Sequence, residues 1–124
     1  MNKILLVDDS GTMRKILMRV LRQAEIDCDG FLEASNGAEG LEFLNSEPGV
    51  SLVLCDFNMP VMNGLEFVKS VRAIEARKTL PIVMVTTEGG AEMVKNAMDA
   101  GASGYVTKPF TPESIKTALV ALGK

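Results

Sequence analysis

Five short apolar runs punctuate the chain. Ile4–Val7, Leu52–Cys55, Ile82–Val85 and Tyr105–Val106 are distinct, and Phe31–Ala34 is weaker. Apolar runs without polar alternation predict strands covered on both faces, as in a parallel sheet. Between them the periodicity is helical. Met13, Ile16, Leu17, Val20, Leu21 and Ala24 follow the spacing of one helix face, with Arg14, Lys15, Arg19 and Arg22 largely on the other side. That basic face is small enough to be simply solvated. Asn36 and Glu39 have the N-cap and N3 spacing of a capping box, which opens a second helix to about Asn45. A third helix is expected from Asn63–Gly64 to about Ala76, with Phe67, Val68, Val71 and Ile74 inward.

The fourth helix should run from about Ala91 to Ala100, with Val94, Ala97 and Met98 facing the core and Gly101 as its C-cap. It opens on Gly89–Gly90, where each glycine costs about 1 kcal/mol relative to alanine, so it is the weakest local structure. The last is the clearest. Thr111 can cap it, Pro112 suits the first helical position, and Ile115, Ala118, Leu119 and Leu122 form its stripe. Five strands alternating with five helices imply one α/β domain spanning residues 1–124, with no repeat, linker or separate output domain.

Polar residues then cluster where the strands end. The first strand runs into Asp8–Asp9, the third into Asp56, the fourth into Thr86 and the fifth into Thr107–Lys108. Ligands of open parallel sheets bind beyond the carboxyl ends of the strands, where the strand order reverses. If the first and third strands are neighbours there, three carboxylates converge. Two carboxylates about 5 Å apart repel by roughly 3 kcal/mol at an effective dielectric of 20. Three need a cation or a raised pKa. Hard oxygen ligands without histidine or cysteine point to Mg²⁺, which keeps waters and accepts a phosphate oxygen. A hydroxyl and an ammonium beside it suit a phosphoryl group, with an aspartate as covalent carrier. Each residue also has a plainer reading. Asp9, before Ser10, could serve the start of the first helix; Asp56, Thr86 and Lys108 could each be ordinary surface or strand residues. Their shared placement at one end of successive strands favours the functional reading.

Composition narrows the field. The apolar fraction of 47%, charged fraction of 23% and net charge of −3 are those of a globular protein and give a polyanion such as nucleic acid no purchase. The four-residue run Ile4–Val7 is too short for a signal peptide or a membrane span, so no membrane insertion is expected. Cys28 and Cys55 read as two reduced thiols of a cytoplasmic protein. The absence of histidine removes histidine triads, the usual zinc sites and any internal phosphohistidine.

The motifs "LLVDDS", "CDFNMPVMNGLEF", "VMVTTE" and "GASGYVTKPFT", in this order and spacing, resemble the receiver domains of two-component response regulators, in particular single-domain chemotaxis regulators of the CheY type. The resemblance covers essentially the whole chain. It implies a doubly wound, flavodoxin-like five-stranded sheet of order 2-1-3-4-5 with five helices. It also implies that Asp56 is the phosphoacceptor for a chemotaxis histidine kinase. Mg²⁺ would be held by Asp8, Asp9, Asp56 and the backbone carbonyl of Asn58. Thr86 would bond the phosphoryl oxygen, Lys108 would pair with its charge, and Lys108–Pro109 would be cis. Tyr105 would turn inward as Thr86 moves, making helix four, strand five and helix five the output surface. Asn58 and Glu88 would flank the attacking water and tune the lifetime. Thr87 departs from the alanine or glycine more often found there, and its larger side chain would narrow access to the phosphoryl group. Met59 and Met62 read as adaptable packing and Pro60 as a stiffener of the loop. The implied function is a monomeric, phosphorylation-controlled binding protein whose target is the flagellar motor switch, with a phosphatase as a possible further partner. Its nearest rival is a single-domain phosphorelay carrier or phosphate sink. An aspartyl-nucleophile phosphohydrolase is disfavoured, because Asn58 stands where such an enzyme needs an acid. Apart from its own phosphoryl transfer and dephosphorylation, no enzyme activity is expected.

Overall fold

A computed structural model describes residues 2–26, 28–57, 59, 61–86, 91–108 and 110–122. The strands are β1 (Lys3–Val7), β2 (Gly30–Ala34), β3 (Val50–Asp56), β4 (Ile82–Thr86) and β5 (Gly104–Thr107). The helices are α1 (Gly11–Gln23), α2 (Gly37–Ser46), α3 (Gly64–Arg72), α4 (Ala91–Ala100) and α5 (Pro112–Val120). The sheet order is β2-β1-β3-β4-β5 and every pairing is parallel. This is the doubly wound α/β architecture, with its switch between β1 and β3.

The unbroken apolar runs are explained by two cores. Alternate strand residues point to opposite faces. Ile4 and Leu6 of β1 join Leu17, Val20 and Leu21 of α1 and Ile115 and Leu119 of α5 on one side. Leu5 and Val7 join Leu44 of α2, Phe67, Val68 and Val71 of α3 and Ala97 of α4 on the other. The middle of a central strand is therefore apolar on both faces, and polar side chains stand at its ends. Burying each such side chain contributes about 1.5–3 kcal/mol.

Several element ends differ from expectation. In α1, Ile16 is half-exposed and Met13 only partly buried, so the core stripe is narrower than its periodicity. Asn36 does cap α2, accepting from Glu39 N at 3.0 Å. Glu39 turns instead to the N–H and hydroxyl of Ser35, both at 2.8 Å, so the box is half made. Complete boxes open α3, where Asn63 and Glu66 bond each other's backbone N–H, and α5, where Thr111 and Ser114 do the same. α3 stops at Arg72 and a short 3₁₀ turn at Glu75–Arg77 follows.

In α4, Ala97 is buried and Val94 half-buried, but Met98 is 41% exposed rather than in the core. The helix ends as expected at Gly101. Its φ of +116° suits glycine, and bonds Gly101 N–Met98 O and Ala102 N–Ala97 O complete a Schellman cap. Gly89 and Gly90 lie outside the described residues. No described helix is long and apolar enough to cross a membrane.

Candidate phosphoryl and metal site

β1 carries Asp8 just past its last residue. The Asp8 N–H still bonds Ala34 O of β2 at 3.0 Å, so the residue is held as an extension of the sheet. Its Oδ1 accepts from Ser10 N at 2.9 Å. Ser10, and not Asp9, is the N-cap of α1, accepting from Met13 N at 3.1 Å. That removes the plainer reading of Asp9 as a cap. Asp9 is exposed and stands in the acidic cluster.

β3 delivers the third acid as its own final residue. Asp56 is in register with Val85 of β4, and its Oδ1 accepts from Phe57 N at 2.8 Å. One carboxylate oxygen from each of Asp8, Asp9 and Asp56 lies within 4.8 Å of the others. Lys108, one residue past β5, places Nζ 3.9 Å from Asp8 Oδ2 and 3.8 Å from Asp56 Oδ1. All four groups stand at the carboxyl end of the sheet beside the β1/β3 switch, where ligands of this architecture bind.

The electrostatics are strained. Asp8 is buried and its Oδ2 has no hydrogen-bond partner. Burial chiefly pushes its carboxyl above the ordinary aspartate range. The Ser10 N–H opposes this, Asp56 adds to it, Lys108 opposes and Asp9 adds a little. Among the described residues one ammonium, Lys108, pairs with Asp8 and Asp56 in this cluster of three carboxylates. A buried acceptor without a donor, among oxygens only, fits a hard divalent cation with Asp8, Asp9 and Asp56 as its protein ligands. The neighbouring thiol is no rival. Cys55 is fully buried and desolvation pushes its pKa well up, so it stays protonated, its Sγ 3.2 Å from Asp56 O.

Other expected site residues are placed only in part. Thr86 ends β4 and is in register with Thr107 of β5, which puts its backbone at the same sheet end. Tyr105, in register with Met84, is 47% exposed. Asn58, Pro60, Thr87, Glu88 and Pro109 lie outside the described residues, as does the expected cis bond. Met59 and Met62 pack as partly buried apolar residues.

Two features of the loop after Asp56 escaped the sequence reading. Gly64 lies against the strand end: a Cβ there would sit 2.4 Å from Asp56 O and 2.9 Å from Phe57 Cα. Its N–H bonds Phe57 O at 2.9 Å, tying the start of α3 to the acid's own loop. The "NG" pair followed by Glu66 was its only trace. Val61 is 82% exposed at φ +68°, a conformation costly for a β-branched residue and one that no local pattern announces.

Residues 4–120 match the family described as the response regulator receiver domain. The chain belongs to that family. This receiver is 45% identical over 122 residues to chemotaxis protein CheY1 of Helicobacter pylori, covering 98% of the chain and 97% of the relative. It is 46% identical over 117 residues to a chemotaxis protein CheY homolog of Campylobacter jejuni, covering 94% and 88%. Its fold matches the structure of Vibrio cholerae chemotaxis protein CheY4 with a TM-score of 0.86 at 36% identity, over 98% of both chains. It is thus a two-component response regulator receiver of the CheY type, similar to proteins of chemotaxis signalling.

Proposed function

We propose that this receiver is a stand-alone cytoplasmic regulator. It takes a phosphoryl group onto Asp56 from the phosphohistidine of a chemotaxis kinase, and then docks on a target protein, the flagellar motor switch. The observation that carries the reading is the cluster of Asp8, Asp9 and Asp56 within 4.8 Å, faced by Lys108 and holding one buried oxygen that accepts no hydrogen bond. A carboxylate so placed is a poor nucleophile until the charge around it is balanced. Mg²⁺ held by Asp8, Asp9 and Asp56, with the Asn58 carbonyl as a further ligand, would supply that balance and draw in the phosphoryl oxygens.

The chain's own groups do the rest. Asp56 stands at the edge of a rigid sheet, with its Oδ1 held by the Phe57 N–H. Lys108, half-buried between Asp8 and Asp56, stabilises negative charge where the transferred group arrives. Thr86 would donate its hydroxyl to a phosphoryl oxygen, and Asn58 and Glu88 would set how readily water attacks. Exposed Met93, Met98 and Tyr105 support an output surface on α4, β5 and α5. Among the described residues α4 buries fewer side chains than any other α-helix, so it can shift at small cost.

The test is intact mass after incubation with Mg²⁺ and a small phosphoramidate donor, wild type against Asp56→Asn. One phosphoryl adduct, dependent on Mg²⁺ and absent from the variant, is expected. No adduct even where hydrolysis is slowed by replacing Glu88 would leave the acidic cluster without this chemistry. Hydrogen exchange in a phosphoryl-mimic state should change over 91–99 and 104–108; unchanged protection there would refute the output surface.

A further inference from the structure

We propose that Arg14 and Glu33 form a positioning pair that aims the Asp8 and Asp9 carboxylates; the inference rests on the Mg²⁺ reading above. Three of the four polar groups of Asp8 are fixed by neighbours. Ala34 O takes its N–H, Ser10 N holds Oδ1, and the Arg14 Nη1 donates to its backbone carbonyl. Only Oδ2 is left over, turned toward Lys108 and the cluster. The carbonyl of Asp8 belongs to the same rigid peptide plane as the N–H of Asp9. Gripping it therefore sets the direction of both acids at once, beyond the point where the β1 ladder can do so.

Arg14 is in turn held from the other side. Its Nε donates to Glu33 Oε1 at 3.0 Å, and Glu33 also faces Lys15 Nζ at 3.8 Å. Glu33 stands on β2 in register with Leu6, so the brace ties helix, edge strand and the end of β1 together. Helix stability does not account for the arginine. It lies near the start of α1, where the macrodipole disfavours a cation and the first turn carries no acidic residue. Nor does mere charge balance, since its fork is turned to a backbone carbonyl and to Glu33. A guanidinium offers the two differently directed donors this requires, and an ammonium does not hold them in fixed geometry.

Two mechanisms predict opposite signs. If Arg14 were only a nearby cation, removing it would tighten Mg²⁺ binding to the three acids. If it positions them, removal weakens binding, as loss of a ligand's supporting partner commonly does by about 10–100-fold. The experiment is Mg²⁺ titration calorimetry of the full chain, for wild type, Arg14→Ala, Arg14→Lys, Glu33→Gln and Arg14→Ala/Glu33→Gln, with folding checked by circular dichroism. We expect affinity to fall about tenfold in Arg14→Ala and less in Arg14→Lys, which keeps charge and stem but not the fork. Glu33→Gln should weaken binding in the wild-type background and add little once Arg14 is gone, because it acts through the same contact. Unchanged or tighter binding in both Arg14 variants, or full additivity with Glu33→Gln, overturns the positioning role while leaving the Mg²⁺ site standing. Absence of Mg²⁺ binding by the wild type overturns both.

Discussion

Replacing Asp8 by asparagine should stabilise the metal-free protein and abolish its response to Mg²⁺. Asp8 is 2% exposed, its Oδ2 has no hydrogen-bond partner, and two other carboxylates lie within 4.8 Å. At an effective dielectric of 20, Asp56 at that distance repels by roughly 3.5 kcal/mol and Lys108 at 3.9 Å attracts by roughly 4 kcal/mol, so the two nearly cancel. The exposed Asp9 is screened and counts for under about 1 kcal/mol. What remains is a buried charged acceptor left unsatisfied, which costs about 1–3 kcal/mol or more, partly relieved by the Ser10 N–H. Asparagine keeps that bond and removes the charge. A gain of about 2 kcal/mol corresponds to about 8 °C in Tm for a chain of this size.

The assay is thermal unfolding in EDTA and in Mg²⁺. In EDTA the variant should melt higher. Saturating cation at 100 times its Kd adds about 2.7 kcal/mol to the wild type and nothing to the variant, so the order reverses. The pH dependence has a definite sign. Asp8 has a folded pKa above its unfolded value, so the unfolded chain loses this proton first as pH rises. The metal-free wild type therefore loses stability from about the unfolded value of 3.8 upward until the raised pKa is passed. The advantage of Asp8→Asn should be absent below that window and full above it. A variant that melts at or below wild type in EDTA at pH 7 would refute the claim that this acid is held at a cost for the sake of a ligand.

Gly64→Ala should destabilise by 2 kcal/mol or more and slow phosphorylation, because its Cβ would lie 2.4 Å from Asp56 O; urea unfolding and the adduct assay check both. Val61→Gly should raise stability by about 1 kcal/mol without altering the site, since it only relieves φ +68° at an exposed loop residue. Arg72 Nε and Nη1 donate at 2.8 Å to Gly101 O and Arg77 O, so Arg72→Ala should cost about 2–3 kcal/mol and raise hydrogen exchange around 101–104, with Asp56 chemistry retained. Thr87→Ala should speed dephosphorylation if the threonine narrows access; equal decay rates would acquit it.

Much of the fold was legible because its determinants are local or periodic. Runs such as Ile82–Val85 specify strands buried on two faces, and Thr111–Pro112 specifies a helix start, wherever they sit in the fold. The acids were legible as a set because strand ends in a parallel sheet share one edge, so position along the chain stands in for position in space. Helix ends were less so. Met98 fits the stripe of α4 but is 41% exposed, so the periodic stripe is wider than the face that packs. α3 stops at Arg72, whose side chain bonds the Arg77 carbonyl nearby and the Gly101 carbonyl far along the chain, partners that helical periodicity does not record.

What the sequence determined by itself was thus the alternation, the two-faced strands and the identity of the polar groups at their ends. What only tertiary structure decided was how those groups stand: Asp8 Oδ2 without a hydrogen bond, Lys108 between two acids, Gly64 against Asp56, Arg14 on the Asp8 carbonyl. Secondary structure follows from interactions within a few residues, which a pattern records. The site's charge balance and aim arise across β1, β3, β5 and α1, between residues up to about a hundred positions apart, and such distances exist only after the sheet has assembled.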